Sequence, residues 1–286
     1  MPISKNSPTI RQRRFARILR DLRTSAGLRH TDAAEALACT PSKLTRLENA
    51  QSGIRVVDLR ILLDLYGVTD PKRREDIEAM ARGASQKGWW NRVGDPDYAA
   101  YIAVEQDASE LYNVETSLIP GLLQTPAYTE AVIRLLVPDA TDEHIATQVK
   151  VRTERRKVLS RATPLHLWVV LAESVLYHQV ASPEVMAEQW KFLLAASRET
   201  NVELQILRRE SPLNACLSGP FVIMSFPEAA DSDIVYTVSN RSTVYYEEAP
   251  DVEDYTTLFR RLNMAAENLD RSRDLIDKAL DRDGAP

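Results

Sequence analysis

Five short runs of apolar residues at helical spacing lie between residues 11 and 84, and their brevity limits the fold of this part of the chain more than any other feature. The first carries Phe15, Ile18, Leu19, Leu22 and Ala26, and Gly27 stops it. The second has only Ala33, Ala34 and Leu37, and the third only Leu44 and Leu47. The fourth holds Leu59, Leu62, Leu63 and Tyr66, and the fifth spans 71–84 behind Asp70-Pro71. Helices this short are marginal alone in water. They must lean on one another, so an all-α domain of five helices is expected over residues 1–86.

The third run raises a particular question. Thr40 is a suitable N-cap and Pro41 suits the first helical turn. With Leu44 and Leu47 inward, Ser42, Lys43, Thr45 and Arg46 are left outward. The spacing from Gly27 to Ala50 is that of a helix-turn-helix, with a small residue, Ala34, where the two helices cross and Ala38 at the tight turn. In that motif the N-terminal half of the second helix enters the DNA major groove. Arg and Lys suit guanine there, and the Thr methyl suits thymine. Thr40, Ser42, Lys43, Thr45 and Arg46 are therefore candidate DNA contacts.

Charge agrees with that assignment. Up to Lys87 there are 17 Lys/Arg against 10 Asp/Glu, a balance of +7, while the remainder holds 19 against 31, a balance of −12. A basic module on an acidic body expects a polyanion partner for the first part alone.

The stretch GLRHTDAAEALACTPSKLTRLENA resembles the XRE-type helix-turn-helix of phage repressors and bacterial regulators. Thr45, Arg46 and Glu48 match the end of that family's pattern. Arg29-His30 stands where the family has Thr-Gln, Ala38 where it has the turn Gly, and Ala50 where it has the last Gly. The resemblance implies that Arg29 and His30 replace the missing Gln as phosphate contacts, since both can donate.

Beyond residue 87 an α+β domain is expected. Asp95-Pro96 opens a helix with Tyr98, Tyr101, Ile102, Glu105, Ala108 and Tyr112 on one face. Thr125-Pro126 and Thr141 begin two more, and another follows Ser182-Pro183 to about Thr200. Strands are expected at 165–172, 202–208, 220–226, 233–238 and 243–247, and a long helix over 252–281. The fold class is thus a five-helix N-terminal domain over 1–86 and an α+β domain over 87–286, with a small sheet and a long final helix.

GWWNRVGDPDYAAYIAVEQDA, IPGLLQTPAYTEAVI and the Glu173-x-x-Leu176 stretch resemble the antitoxin-like, or WhiJ-like, group of actinomycete XRE-type regulators. The resemblance implies a transcriptional regulator whose large C-terminal domain meets a small partner protein encoded nearby. Two alternatives stand beside it: an antitoxin that neutralises a cognate protein, and a small-molecule-sensing regulator. Trp89, Trp90, Tyr98, Tyr101, Glu105 and Gln124 are the candidate partner-binding or domain-junction residues. Trp89 and Trp90 either pin the domains together or stack on a ligand. Gln124 is either a polar contact in a pocket or part of a helix cap, and Glu105 expects an arginine such as Arg152 or Arg155. The apolar stripe of the final helix, from Tyr255 to Leu280, serves either the chain's own sheet or a homodimer. The basic run from Lys150 to Arg161 is a solvated face or a DNA contact.

Catalysis is not expected. Neither a phosphate-cradling glycine motif nor a zinc or nucleophile signature occurs, and the 9 Gly do not cluster. His30, His144, His166 and His178 lack metal-ligand spacing, so no cofactor, metal or catalytic residue is assigned. Two distant cysteines, Cys39 and Cys216, make no disulfide framework. No apolar run approaches a membrane span, and the basic N-terminus has no apolar segment behind it. The expected location is cytoplasmic, on the nucleoid, bound to double-stranded DNA as a homodimer and without membrane attachment.

Overall fold

The computed structural model describes residues 10–85, 95–216, 219–227, 233–238 and 243–284. The chain forms two compact units, and the division falls between Val104 and Glu105. The boundary expected at 86/87 lies among residues outside the described ones, as do Trp89 and Trp90.

The first unit contains the five expected helices: α1 (Ile10–Ser25), α2 (His30–Ala36), α3 (Pro41–Glu48), α4 (Val56–Leu65) and α5 (Pro71–Ser85). Phe15, Leu19, Ala33, Leu44, Leu47, Leu59, Leu62, Leu63 and Ile77 form its core. The inward positions expected of α3 are the ones buried, and α3 is held down by this shared core.

Four of the chain's turns are built alike. After α1, the Leu28 N–H donates to Arg23 O and the Gly27 N–H to Thr24 O, with Gly27 at φ +70. After α4, Val68 and Gly67 repeat the pattern on Leu63 and Asp64, with Gly67 at φ +72. These are Schellman caps, whose left-handed residue is usually Gly. After α2 and α3 the same bonds form, from Cys39 to Ala34 and from Gln51 to Arg46, but the left-handed residues are Ala38 at φ +49 and Ala50 at φ +58. The two positions where the family pattern has Gly are thus left-handed here too, and each carries a Cβ.

The helix α6 (Pro96–Asp107) precedes the second unit's sheet. Strands β1 (Glu110–Glu115), β2 (His166–Ala172), β3 (Val202–Leu207), β4 (Phe221–Ser225), β5 (Ile234–Val238) and β6 (Thr243–Tyr246) lie in the order β3-β2-β1-β4-β5-β6. The first three are parallel and the last three an antiparallel meander, with Val114 opposite Val170 on one side and Phe221 on the other. Helices α7 (Pro126–Leu136) and α8 (Asp142–Arg155) connect β1 to β2, and α9 (Pro183–Ala196) connects β2 to β3. The fold class expected from the sequence is the one found.

Two expectations are corrected. The helix through Tyr112 stops at Asp107, and ELYNVE becomes β1. Tyr98, Tyr101 and Tyr112 share a helical period by coincidence, while pairing on both flanks decides the central strand. The helix expected over 252–281 is two, α10 (Ala249–Ala265) and α11 (Leu269–Gly284). Between them the Glu267 N–H donates to Ile206 O at 2.9 Å, and the Ser272 hydroxyl accepts from the Ile206 N–H at 2.9 Å. The break covers the open edge of β3, an edge that would otherwise expose unpaired backbone groups. Tyr255, Phe259 and Leu262 of α10 pack on Val114, Val170, Phe221 and Ile223, and Ile276 and Ala279 of α11 are buried. The C-terminal stripe is therefore spent within the chain.

Candidate DNA-binding surface

Ala34 is 1% exposed where α2 and α3 cross, and Leu44 and Leu47 pin α3 beneath. Thr40, Ser42, Lys43, Thr45 and Arg46 are all exposed. Thr40 adopts the N-cap backbone, yet its hydroxyl makes no cap hydrogen bond; the Thr45 hydroxyl donates to Pro41 O. Lys43 and Arg46 have no hydrogen bond or ion pair among the described residues. Elsewhere in this unit arginines are engaged: Arg60 on Glu78 at 2.8 Å, Arg74 on Asp64 at 2.6 Å, Arg55 on Asp58 at 2.9 Å. The two cations on α3 are therefore available to a partner.

The orientation of α3 is fixed from behind. Glu48 is 2% exposed and accepts two bonds from the Arg23 guanidinium, Nε to Oε1 at 2.7 Å and Nη2 to Oε2 at 2.9 Å. Arg23 Nη1 donates to Leu28 O, closing the α1–α2 turn. Pairing with Glu48 raises the Arg23 pKa, so the guanidinium stays charged. Arg20 adds a bond to Glu48 O at 2.6 Å and one to Asn49 Oδ1 at 3.1 Å, satisfying the carbonyl end of α3.

Arg29 and His30 make contacts of their own. His30 Nε2 lies 3.1 Å from Glu48 Oε2, so the ring meets the Arg23–Glu48 cluster while 42% of its side chain stays exposed. Arg29 is exposed and paired with Asp32 at 3.2 Å, and the Asp32 carboxylate accepts from the Arg29 N–H at 2.8 Å. That backbone bond lowers the Asp32 pKa and supplies, from inside the helix, part of the cap lost with the missing Thr.

One set of residues escaped sequence reasoning. Beside α3 a cavity of about 190 Å³ opens between Cys39, Lys43, Ser52, Gly53 and Arg55. Arg55 is highly exposed and stands at the N-terminus of α4 beside Lys43, where its guanidinium pairs with Asp58. Its only sequence signal was a basic residue in the loop after the recognition helix.

Of the residues expected at a partner surface or domain junction, Glu105 and Gln124 are buried, and Trp89 and Trp90 lie outside the described residues. The Tyr98 and Tyr101 rings stack at 6.4 Å. Glu105, fully buried, is paired with Arg155 at 2.6 and 2.9 Å, one of the two partners expected for it. Gln124 is buried too: its amide donates to Ile119 O at 2.7 Å, and its Oε1 accepts from Thr129 and from Arg152 at 2.6 Å. Glu105 and Gln124 hold the second unit together and offer no surface to a protein. The Pro-Gly-Leu-Leu-Gln-Thr block has a matching cause. A Cβ at Gly121 would stand 3.3 Å from Arg155 Nη1, and the Thr125 hydroxyl caps α7 through the Tyr128 N–H.

No described helix is long and apolar enough to cross a membrane, and no cluster of metal-ligating side chains occurs among the described residues. Residues 14–83 match the model of a helix-turn-helix domain, and residues 98–278 match that of a domain of unknown function, DUF5753. No curated protein and no solved structure matches the chain. The family model covers well over half of the residues, and the free basic face of α3 lies within the helix-turn-helix match: the chain belongs to the DUF5753 family and is a DNA-binding, helix-turn-helix transcriptional regulator.

Proposed function

We propose that the protein is a sequence-specific, non-enzymatic regulator of the XRE type, acting as a homodimer on paired half-sites. The observation that carries this reading is the exposed, unpartnered Lys43 and Arg46 on a helix locked from behind by Arg23–Glu48. Arg46 is assigned to a guanine and Lys43 to backbone phosphate. A single motif of this size gives little specificity, and its relatives in geometry work in pairs. With the C-terminal stripe spent, Val57, Ile61 and Leu65, exposed in a row along α4 of the DNA-binding unit, are proposed as the pairing surface.

The C-terminal unit is proposed to modulate DNA binding by taking a small protein, as the likeness to the antitoxin-like actinomycete group implies. The −12 balance beyond Lys87 favours a basic partner and association sensitive to ionic strength. If partner changes operator affinity by some factor, operator changes partner affinity by the same factor. Selection of bound duplexes from a random pool, followed by operator titrations with and without the neighbouring gene product, tests both halves. Enrichment of no sequence removes the regulator reading. Factors of one in both directions make the C-terminal unit a scaffold.

A further inference from the structure

Helix α7 carries its apolar stripe past the edge of the second unit. Tyr128, Val132 and Ile133 are buried on its inward side. Leu136 stands four residues after Val132, so helical period puts it on that side too, yet it is 69% exposed. Leu135 is 61% and Val137 46% exposed, which leaves three consecutive large apolar side chains in water. No other such run occurs among the described residues. A run of this kind is a fault in a fold unless something uses it.

The corner that carries the run is held in one shape. The Val137 N–H donates to Ile133 O at 2.8 Å, and the Ala140 N–H to Val137 O at 3.0 Å. Arg134 bonds Glu130 at 2.9 Å and Asp142 at 3.0 Å, tying the last turn of α7 to the first of α8. The Thr141 hydroxyl accepts from the His144 N–H and caps α8. The charge around the corner has one sign. The Asp139 and Glu143 carboxylates are exposed, with no hydrogen bond or ion pair among the described residues. Asp142 keeps 89% of its side chain exposed beside Arg134. From Glu130 to Thr147, Arg134 is the one Lys or Arg, against Glu130, Asp139, Asp142 and Glu143, and its guanidinium is already engaged.

We propose that the α7–α8 corner, Leu135, Leu136 and Val137 with Asp139, Asp142 and Glu143, is the docking surface for an amphipathic helix of a partner protein, its apolar stripe flanked by lysine or arginine. The apolar run supplies the contact area, and water leaves it on docking. The carboxylates beside it meet the cations, which fixes orientation and speeds encounter. A second copy of this chain is a poor occupant, because a two-fold axis would set the acidic rim against itself. An anionic lipid surface is repelled by the same rim. The docking surface rests on the reading of the C-terminal unit as one that takes a small protein, and gives that reading a place on the chain.

The probe is a synthetic amidated peptide of leucine and lysine at helical spacing, titrated calorimetrically into the full chain without DNA, which would itself take up the peptide. Saturable one-to-one binding that weakens with salt is expected. Leu135→Ser with Leu136→Ser should weaken it at least about tenfold, since burying one leucine side chain is worth more than that factor. Asp139→Asn with Glu143→Gln should flatten the salt dependence. The same peptide with glutamate in place of lysine should not bind. Amide chemical-shift mapping on the wild type supplies the readout if a variant fails to fold: the shifts should centre on Arg134 to Glu143. Absence of saturable heat overturns the proposal, as does undiminished binding to the leucine variant, equal binding of the glutamate peptide, or shifts centred elsewhere. Self-association in light scattering that the leucine variant loses also overturns it, since a second copy is then the occupant. The neighbouring gene product, titrated into wild type and leucine variant, separates this inference from the partner reading. Binding undiminished in the variant ends the docking surface and leaves the partner reading. No binding of that product, with the peptide still held at the corner, ends the partner reading and leaves the surface.

Discussion

Replacing Ala38 by Gly should stabilise the helical unit, against the usual sense of that substitution. Alanine to glycine within regular structure costs about 0.5–1 kcal/mol, because glycine has more freedom to lose on folding. At Ala38 the backbone is left-handed, at φ +49, and a Cβ there costs about 1–2 kcal/mol. Subtracting about 0.4–1 kcal/mol for the freer unfolded chain leaves a gain of up to about 1.6 kcal/mol, centred on about 0.8 kcal/mol. Ala38 is exposed, so no packing is lost. Ala50, at φ +58, is the built-in comparison: only 7% exposed, it would forfeit a buried methyl worth about 0.8 kcal/mol, so Ala50→Gly should be close to neutral. Gly27→Ala completes the set. Its φ is +70 and a Cβ there would touch nothing within 4 Å, so it should lose about 1 kcal/mol from backbone strain alone. Calorimetric melting of the full chain reads all three, with about 4–8 °C per kcal/mol for a unit of about 100 residues. A lower Tm for Ala38→Gly would refute the assignment of strain to that turn.

Four further outcomes follow from the same contacts. Glu48→Ala strands the buried Arg23 guanidinium and should cost about 3–5 kcal/mol, seen as loss of the helical unit's melting transition. Gly121→Ala drives a Cβ toward the Arg155 guanidinium and should destabilise the second unit by about 1–3 kcal/mol in urea titration. Ile61→Glu should leave the fold intact by circular dichroism while abolishing paired binding on a two-half-site duplex in sedimentation. Glu115 carries a raised pKa in the folded state, so its share of stability is present below the ordinary carboxylate pKa of 4.5 and is lost as pH rises toward about 8; Glu115→Gln should flatten the pH dependence of urea stability across that window.

The helices of the first unit were legible because each carries its own apolar stripe and its own stop, and those signals are local. The outward set on α3 followed by elimination once Leu44 and Leu47 were placed. What was hidden depends on groups far apart in sequence. Arg23 and Glu48 meet across 25 positions, and His30 joins them at 3.1 Å from Glu48. Glu105 announced its need for an arginine, since a charge among tyrosines must be paired, but nothing local chose Arg155 over Arg152. Gln124 offered two local readings and is instead the junction of Ile119, Thr129 and Arg152. ELYNVE alternates as a strand should, yet tyrosines at helical spacing masked it until β2 and β4 flanked it. The break at 266–268 had no local breaker such as Gly or Pro; the open backbone of β3 is what it serves.

The central claim is that the free face of α3 reads DNA, and one comparison tests it most directly. The affinity of the full chain for its selected duplex is measured against Arg46→Ala over a range of salt, alongside a duplex of random sequence. The account predicts a loss of about 1–3 kcal/mol, about 5- to 150-fold, on the selected duplex, with a much smaller change on the random one. Unchanged affinity for the selected duplex, with the fold intact by circular dichroism, would contradict it.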